Sequence, residues 1–372
     1  MTVGFYSPLP PARTGVADYA AALLAELRKL GRLEVAPARC DVALYHLGNN
    51  GLHGAIYDRA LEVPGVVVLH DALLHHFLLG HLSQAAYIEE FVYNQGEWSR
   101  GLAAELWRGR ASSGSDGRYF EYPMLKRLVE RSRAVVVHNP AAARVVREQV
   151  PEARIIEIPH LFAPPAHPPS AVDAIRWRLE AGLELGIFLF GVFGYLRESK
   201  RLVTVLETFA KVHREWPRTA LLVAGQFVST DLERAVEPLL KADGVVRRPY
   251  LKEREFWLAA QAIDACVNLR YPAAGETSGI AVRMMGLGKP VLLTESEECS
   301  RFPEDACVRI VSGVDEGDSL RNHMTMLAAM PHVARAIGER AAAHMQAHHG
   351  PGAVAARYWE ELSAIAGAGS NR

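Results

Sequence analysis

The chain has 372 residues, 49% hydrophobic and 22% charged, and 41 Lys+Arg against 42 Asp+Glu leave a net charge of −1. At about 150 residues per domain this length predicts two or three domains, and the composition excludes a disordered or fibrous chain. The balanced charge argues against a dedicated nucleic-acid binder, which needs a basic surplus for phosphate.

The N-terminus, MTVGFYSPLPP, lacks the basic and apolar regions of a signal peptide. A short apolar run, Val3–Tyr6, precedes a helix predicted from Gly15 to Leu30, whose Val16, Ala20, Leu23, Leu24, Leu27 and Leu30 share one face before Gly31 ends it. Strand-like runs follow at Asp41–Tyr45, Val66–Leu69, Ala134–Val137 and Arg154–Ile158. Short β-branched runs of this kind suit a parallel sheet covered by helices on both faces. Pro159–Ser170 holds five prolines in twelve residues, which neither a helix nor a central strand accommodates, and the domain boundary is placed there.

Alternation then restarts. Strands are predicted at Ile187–Phe193, Ala220–Ala224, Val245–Arg247, Cys266–Leu269 and Val291–Thr294, and helices at Arg201–Trp216, Asp231–Lys241, Glu253–Gln261 and Gly279–Leu287, with one or two more in Val333–Ala366. The longest apolar stretch, near Gly186–Leu196, is broken by three glycines, and no run reaches the roughly 18 residues of a membrane span. The fold class read from this pattern is α/β: two facing Rossmann-like domains with a cleft between them, over residues 1–165 and 166–350. Cys40, Cys266, Cys299 and Cys307 are scattered without a C-x-x-C pair, so a reduced, cytoplasmic chain is expected, with neither zinc site nor disulfide framework.

Ligands of doubly wound sheets bind at the carboxyl ends of the strands, against helix N-termini. Three loops qualify. Ser7–Gly15 ends in a glycine that lets backbone N–H groups approach an anion, or that eases a tight turn. Gly191–Arg201, GVFGYLRESKR, sets Lys200 and Arg201 at a helix N-terminus, where cations oppose the macrodipole but an anion suits it. Arg270–Gly279, RYPAAGETSG, offers Ser278 or Thr277 as N-cap and Glu276 as a capping acid or an acceptor for ligand hydroxyls. No G-x-G-x-x-G lies between a strand and a helix, and no Walker sequence occurs, which argues against NAD and P-loop chemistry. No D-x-D marks a metal carboxylate pair. His70, His75 and His76 do not have the spacing of a helical zinc pair, so no metal is expected.

The runs PLPPARTGVADYAAALLAEL, VVVLHDALLHHFL, AVVVHNP, GVFGYLRESKRLVTVLETFA and VNLRYPAAGETSGIAVRMMGLGKPVLLT, and a C-terminal ARYWEEL, follow one another in an order that is familiar. In them the chain resembles the retaining GT-B-fold glycosyltransferases of family 4, in a branch carrying GETSG, over nearly its whole length. The resemblance implies an acceptor-side first domain, a sugar-nucleotide-side second domain, and a last helix, about 351–368, that packs back on the first. It implies that His70, Lys200 and Glu276 carry catalysis: His70 beside the transferred sugar, Lys200 on the diphosphate, and Glu276, first glutamate of the family's E-x7-E signature, on sugar hydroxyls. Gly15, Thr277, Ser278 and Gly279 match backbone positions facing the phosphates, and Arg201 joins them on the donor side.

Two departures stand out. Tyr195 occupies the place of an arginine after the loop glycine, and Arg283 that of the second, ribose-binding glutamate after a one-residue shortening. Arg283 or Arg197 is expected to supply the missing cation, unless Arg283 is a solvated or paired surface residue. The resemblance also implies retention at the anomeric carbon, by a same-face route because no carboxylate stands out as a nucleophile. UDP is the nucleotide expected in the donor, which is substrate rather than cofactor.

Asp71 and Trp98 are the expected acceptor contacts. Residues 87–122 hold eight aromatics, which either stack on sugar or lipid or form the core of a helical insertion. Residues 100–133 carry a local +4, which allows weak peripheral contact at the inner face of a membrane, although residues 1–160 balance at 17 basic and 17 acidic. Two rivals to hexosyl transfer stay open from sequence: another GT-B enzyme, such as a sugar-nucleotide epimerase or a phosphorylase, and an inactive sugar-nucleotide-binding subunit.

Overall fold

A computed structural model describes residues 1–369. It resolves the chain into two units, the first of Met1–Ala163, Pro272–Thr277 and the stretch from His348 onward, the second of Pro164–Tyr271 and Ser278–Ala347. The six residues Pro272–Thr277 therefore depart from the expected continuous second domain and group with the first.

The first unit runs β1 (Thr2–Tyr6), α1 (Gly15–Leu27), β2 (Arg32–Val35), β3 (Val42–Leu47), α2 (Gly54–Glu62), β4 (Val66–Leu69), α3 (His75–His81), α4 (Gln84–Gln95), α5 (Arg100–Gly109), α6 (Lys126–Arg131), β5 (Ala134–Val137), α7 (Pro140–Gln149) and β6 (Ile155–Glu157). Its six strands pair in parallel in the order β2-β1-β3-β4-β5-β6. The edge strand β2 has no counterpart among the sequence expectations: only Leu33 of its four residues is buried, so it carries no alternating signal.

Strands β3, β4 and β5 are buried at every position, which suits strands covered on both faces. Successive side chains of β4 point to opposite faces. Val67 and Leu69 join Tyr45, Phe77, Tyr87, Phe91 and Tyr119 on one side, and Val66 and Val68 join Phe5, Leu23 and Leu44 on the other. The aromatics of 87–122 thus chiefly form the core under α3–α6. The last helix of the chain closes the second face.

The second unit runs α8 (Ala171–Glu180), β7 (Phe188–Phe193), α9 (Leu202–Glu215), β8 (Thr219–Ala224), α10 (Thr230–Leu240), β9 (Val245–Arg248), α11 (Glu253–Ala262), β10 (Ala265–Asn268), α12 (Gly279–Gly286), β11 (Val291–Thr294), β12 (Val308–Ile310), α13 (Glu316–Ala329) and α14 (Pro331–His348). Its strand order, β12-β11-β10-β7-β8-β9, is that of a dinucleotide-type doubly wound sheet. The core gathers Phe190, Val192, Leu206, Phe209, Leu221 and Leu292.

The final helix α15 (Pro351–Gly369) belongs to the first unit. Tyr358, Leu362 and Ile365 pack with Leu23 and Leu27 of α1, and the Tyr19 and Tyr358 hydroxyls lie 3.0 Å apart. Trp359 covers Gly31 so closely that a Cβ there would stand 2.1 Å from the ring.

Candidate functional site

In a doubly wound sheet the place for a ligand is where the strand order reverses, at the carboxyl ends of two neighbouring strands. In the first unit the reversal falls between β1 and β3. After β1 comes the N-terminus of α1, where Thr14 caps the helix by accepting from Val16 N at 3.4 Å. A Cβ on Gly15 would meet nothing within 4 Å, so the backbone there has an open approach. After β3 come Gly48 and Asn49. Asn49 N donates to Asp71 Oδ2 at 2.8 Å, while Asn49 Oδ1 accepts from Phe77 N at 2.7 Å and fixes the start of α3.

The loop carrying Glu276 docks at the same end. Gly275, at φ +70, sits against Ala72, the residue after Asp71: a Cβ on Gly275 would stand 2.6 Å from the Ala72 Cβ. A non-glycine residue would meet both the clash and the left-handed backbone. Asn139, next after His138, caps α7 by accepting from Ala142 N at 2.8 Å. Its Nδ2 donates to Gly275 O and to Thr277 Oγ1, both at 3.0 Å. Glu276 Oε2 accepts from Ala274 N at 2.9 Å. Asn139 and Gly275–Thr277 are thus joined by two hydrogen bonds from the Asn139 amide, and Gly275 meets Ala72 in one tight contact. Asn49 and Asn139 were not singled out from sequence; the signals were the asparagine in HNP before a proline at the first helical position, and GNN after a strand.

His70 lies in a nest of buried rings. Its Nε2 is 3.1 Å from Nδ1 of His46, and the Tyr19 ring meets it edge-on at 4.8 Å. His138 and His160 pack on the same tyrosine. Burial, with neighbouring histidines adding to it, holds His46 down to about 3. It holds His53 and His138 down to about 4 and lowers His70 well below its ordinary value, so all are neutral imidazoles at neutral pH.

The second unit reverses between β7 and β10. The loop after β7 turns at Gly194 (φ 91) and makes one 3-10 turn, Glu198–Lys200. Arg201 follows in the left-handed conformation (φ 57) and opens α9. Lys200 is buried and its Nζ donates to the Phe193 carbonyl. A Cβ on Gly194 would stand 3.3 Å from that Nζ and 3.5 Å from Ile280 Cγ1, so the ammonium and the first turn of α12 meet at this glycine. Gly225, after β8, is needed for a close approach: a Cβ would lie 1.8 Å from Gly194 O. The open choice of cap resolves to Ser278, whose Oγ accepts from Ala281 N at 3.3 Å and from Asn268 Nδ2 at 2.9 Å. Gly279 is then the first helical residue.

Tyr195 is half-buried in the β7 loop and Arg197 is exposed there. Arg283 lies over the Phe256 and Trp257 rings of α11, at 5.4 and 5.6 Å. Trp98 stands 74% exposed on a 3-10 turn beside Gly96, while Tyr87, Phe91 and Tyr119 are buried core. His75 is engaged on both sides, by Tyr119 O at 3.0 Å and by Tyr87 OH at 2.7 Å. Among the described residues no group of three His, Cys, Asp or Glu is placed to hold a metal ion. Arg100 pairs with Glu89 and Glu97, and Arg127 with Glu90, carboxylates outside residues 100–133 that offset part of the local positive charge, while Arg118 pairs within the segment with Asp116 and Glu105. No described helix is long and apolar enough to cross a membrane.

No family model matches the chain, and no curated protein matches it. Solved structures do. Sucrose-phosphate synthase from Thermosynechococcus elongatus superposes with a TM-score of 0.70 at 15% identity, covering 99% of each chain. HepE of Anabaena, solved in complex with UDP-glucose, gives 0.65 at 14% identity, over 98% of this chain and 100% of that one. WaaG, a glycosyltransferase involved in lipopolysaccharide biosynthesis, gives 0.60 at 14%, over 95% and 98%. The two six-stranded parallel sheets and their helices are therefore those of the GT-B glycosyltransferase fold.

Proposed function

We propose that this protein is a retaining glycosyltransferase of family 4 that moves a hexose from a nucleoside-diphosphate sugar, UDP-linked in the first instance, to a carbohydrate, lipid-linked or small-molecule acceptor. The observation that carries this reading is the meeting of Lys200, Gly194 and the first turn of α12 at the reversal point of the second sheet. A buried ammonium next to unpaired helix N–H groups forms an anion site, and the anion that leaves during glycosyl transfer is a diphosphate.

Charge grows on the diphosphate oxygens as the glycosidic bond breaks. Groups fixed beforehand at that place lower the barrier, and losing one costs about 3–4 kcal/mol of activation free energy. In this reading Lys200 exchanges its main-chain carbonyl for a phosphate oxygen, and the N–H groups of Gly279 and Ile280 complete the cradle. Glu276, three residues before Gly279 in the chain, holds sugar hydroxyls through its carboxylate. Neutral His70 and the nearby Asp71 contact the transferred sugar and the incoming acceptor. The complexes of HepE with UDP and UDP-glucose favour a uridine donor by analogy of fold.

Thermal-shift measurements with UDP-, GDP-, ADP- and TDP-sugars test the reading. A donor at 100 times its Kd adds about 2.7 kcal/mol to stability. The wild type is expected to respond to one base and Lys200→Ala to lose the response; no response to any of the four overturns the reading. Anomeric retention is checked by NMR of the product from an α-linked donor, where a β-product excludes it.

A second reading, an inactive sugar-nucleotide-binding protein, draws on Arg283, which replaces the ribose-binding glutamate implied by the resemblance and stacks on Phe256 and Trp257. Release of labelled hexose to water from the donor separates the two, since a working transferase leaks and an inactive binder does not.

A further inference from the structure

His46 lies at the centre of the first sheet, on β3 between β1 and β4, and is completely buried. Its ring is stacked on that of His70 at 24° with centroids 5.3 Å apart, and the Nδ1 to Nε2 distance of 3.1 Å is a hydrogen bond. Burial keeps both rings neutral, so each carries one proton and only two arrangements are available. If His46 donates from Nδ1, its Nε2 is a bare lone pair and His70 carries its proton on Nδ1. If His70 donates from Nε2, His46 must carry its proton on Nε2, which is buried with no partner.

Two neighbours decide between them. His53 Nδ1 faces the carbonyl of His46 at 3.0 Å and His138 Nδ1 faces that of Ile158 at 2.9 Å. A carbonyl only accepts, so both histidines carry the proton on Nδ1. Both leave Nε2 buried and unpartnered as a bare lone pair. This nest therefore holds buried bare Nε2 atoms twice already. A buried N–H without an acceptor is the rarer and costlier defect. His46 completes a series of three only if it, too, is protonated on Nδ1.

We infer that His46 is a positioning residue for His70, donating from Nδ1 to Nε2 so that His70 offers its own proton, on Nδ1, as a hydrogen-bond donor to an oxygen of the bound sugar. Given that arrangement, His70 is no general base: its one lone pair is occupied by His46. The part concerning the sugar rests on the glycosyltransferase reading; the tautomer does not. His70 Nδ1 is not among the buried unpartnered atoms, and His70 retains 8% of its surface exposed, so this nitrogen is the one with access to a ligand.

The test uses the full chain labelled with 15N-histidine at neutral pH. Long-range proton–nitrogen spectra, assigned with His70→Asn, are expected to show a pyrrole-like Nδ1 and a pyridine-like Nε2 for His70. His46→Phe keeps the bulk and removes the donor. It is expected to release His70 from the single tautomer and to lower kcat about tenfold or more with little change in donor KM. His46→Asn, whose amide nitrogen falls near the Nδ1 site, is expected to recover most of both. A wild-type spectrum with the proton on His70 Nε2 overturns the inference. So does a folded His46→Phe protein with unchanged tautomer and kcat. If His46→Phe does not fold, the wild-type spectrum and His46→Asn still decide. A wild type that transfers no hexose removes the glycosyltransferase reading and leaves the tautomer assignment to be judged on the spectrum alone.

Discussion

Arg201 donates from Nε to Oε2 of Glu316 at 2.7 Å, and the glutamate side chain is only 2% exposed. The pair joins the left-handed residue that opens α9 to the first residue of α13. It therefore fixes the direction in which the Lys200 loop enters its helix. Removing one partner of a buried pair costs about 3–5 kcal/mol when the charge left behind cannot reach water. Here the charge left by Glu316→Ala is that of Arg201, about a third exposed, so a loss nearer 2 kcal/mol is expected in urea unfolding. Donor KM is expected to rise as the loop loosens. Glu316→Gln keeps an acceptor for Arg201 and should fall between wild type and alanine; an unchanged midpoint in Glu316→Ala contradicts the argument.

Asn139 serves α7 with its oxygen and the Glu276 loop with its nitrogen. Two substitutions separate these roles. Asn139→Asp keeps the cap, whereas Asn139→Ala loses it at about 1 kcal/mol. Neither can donate to Gly275 O or Thr277 Oγ1. The expected result is that alanine lowers the unfolding midpoint more than aspartate, while both reduce turnover of the donor. Full turnover in Asn139→Asp would show that the loop needs no anchor there.

Gly225 has no room for a methyl group, since a Cβ would lie 1.8 Å from the carbonyl oxygen of Gly194. Gly225→Ala must push the β7 loop away from β8. Over-packing of backbone against backbone is expected to cost about 3 kcal/mol. Because the displaced loop carries Lys200, donor affinity should fall with stability. Gly15→Ala is the control: open space surrounds that position, and stability is expected to stay within about 0.5 kcal/mol of wild type.

The buried histidines make the fold sensitive to acid. His46 is held at about 3 and His53, His75 and His138 at about 4, against an ordinary value of 6.5. Between those values the unfolded chain binds protons that the folded chain refuses, so stability rises with pH across the window and levels off above it. Each such histidine contributes a slope of up to about 1.4 kcal/mol per pH unit. Urea midpoints are expected to be flat above about pH 7 and to fall steeply from about pH 6 downwards. A flat profile down to about pH 5 would mean that the rings are not neutral and buried in the folded protein.

Much of this molecule is written locally. The β-branched runs, the caps at Ser278 and Asn139, the proline-dense stretch before α8 and the glycines that end helices are short-range signals, and they yield two rounds of strand–helix alternation without reference to anything distant. Strands with weak local patterns escape that reading, as Arg32–Val35 and Val308–Ile310 do: one is a mostly exposed edge, and the other has only three residues. Gly194 with Lys200 in one loop, and Ser278 with Gly279 in another, each stand out locally as a small residue beside a cation or a helix start, whereas the meeting of the two loops at Gly194 depends on strand order.

Long-range partners needed the tertiary structure. Nothing near His70 in the chain announces His46, which lies 24 residues away on another strand, or Asn139 beneath a loop that follows 136 residues later. A hydrogen bond depends on where two groups end up in space, and strand order decides that. The sequence determined the elements, their order and the chemistry available at their ends. Packing of the sheets decided which histidine donates to which, that Arg283 rests on two aromatic rings, and that Trp98 faces water, because those outcomes depend on neighbours brought together only when both faces of each sheet are buried.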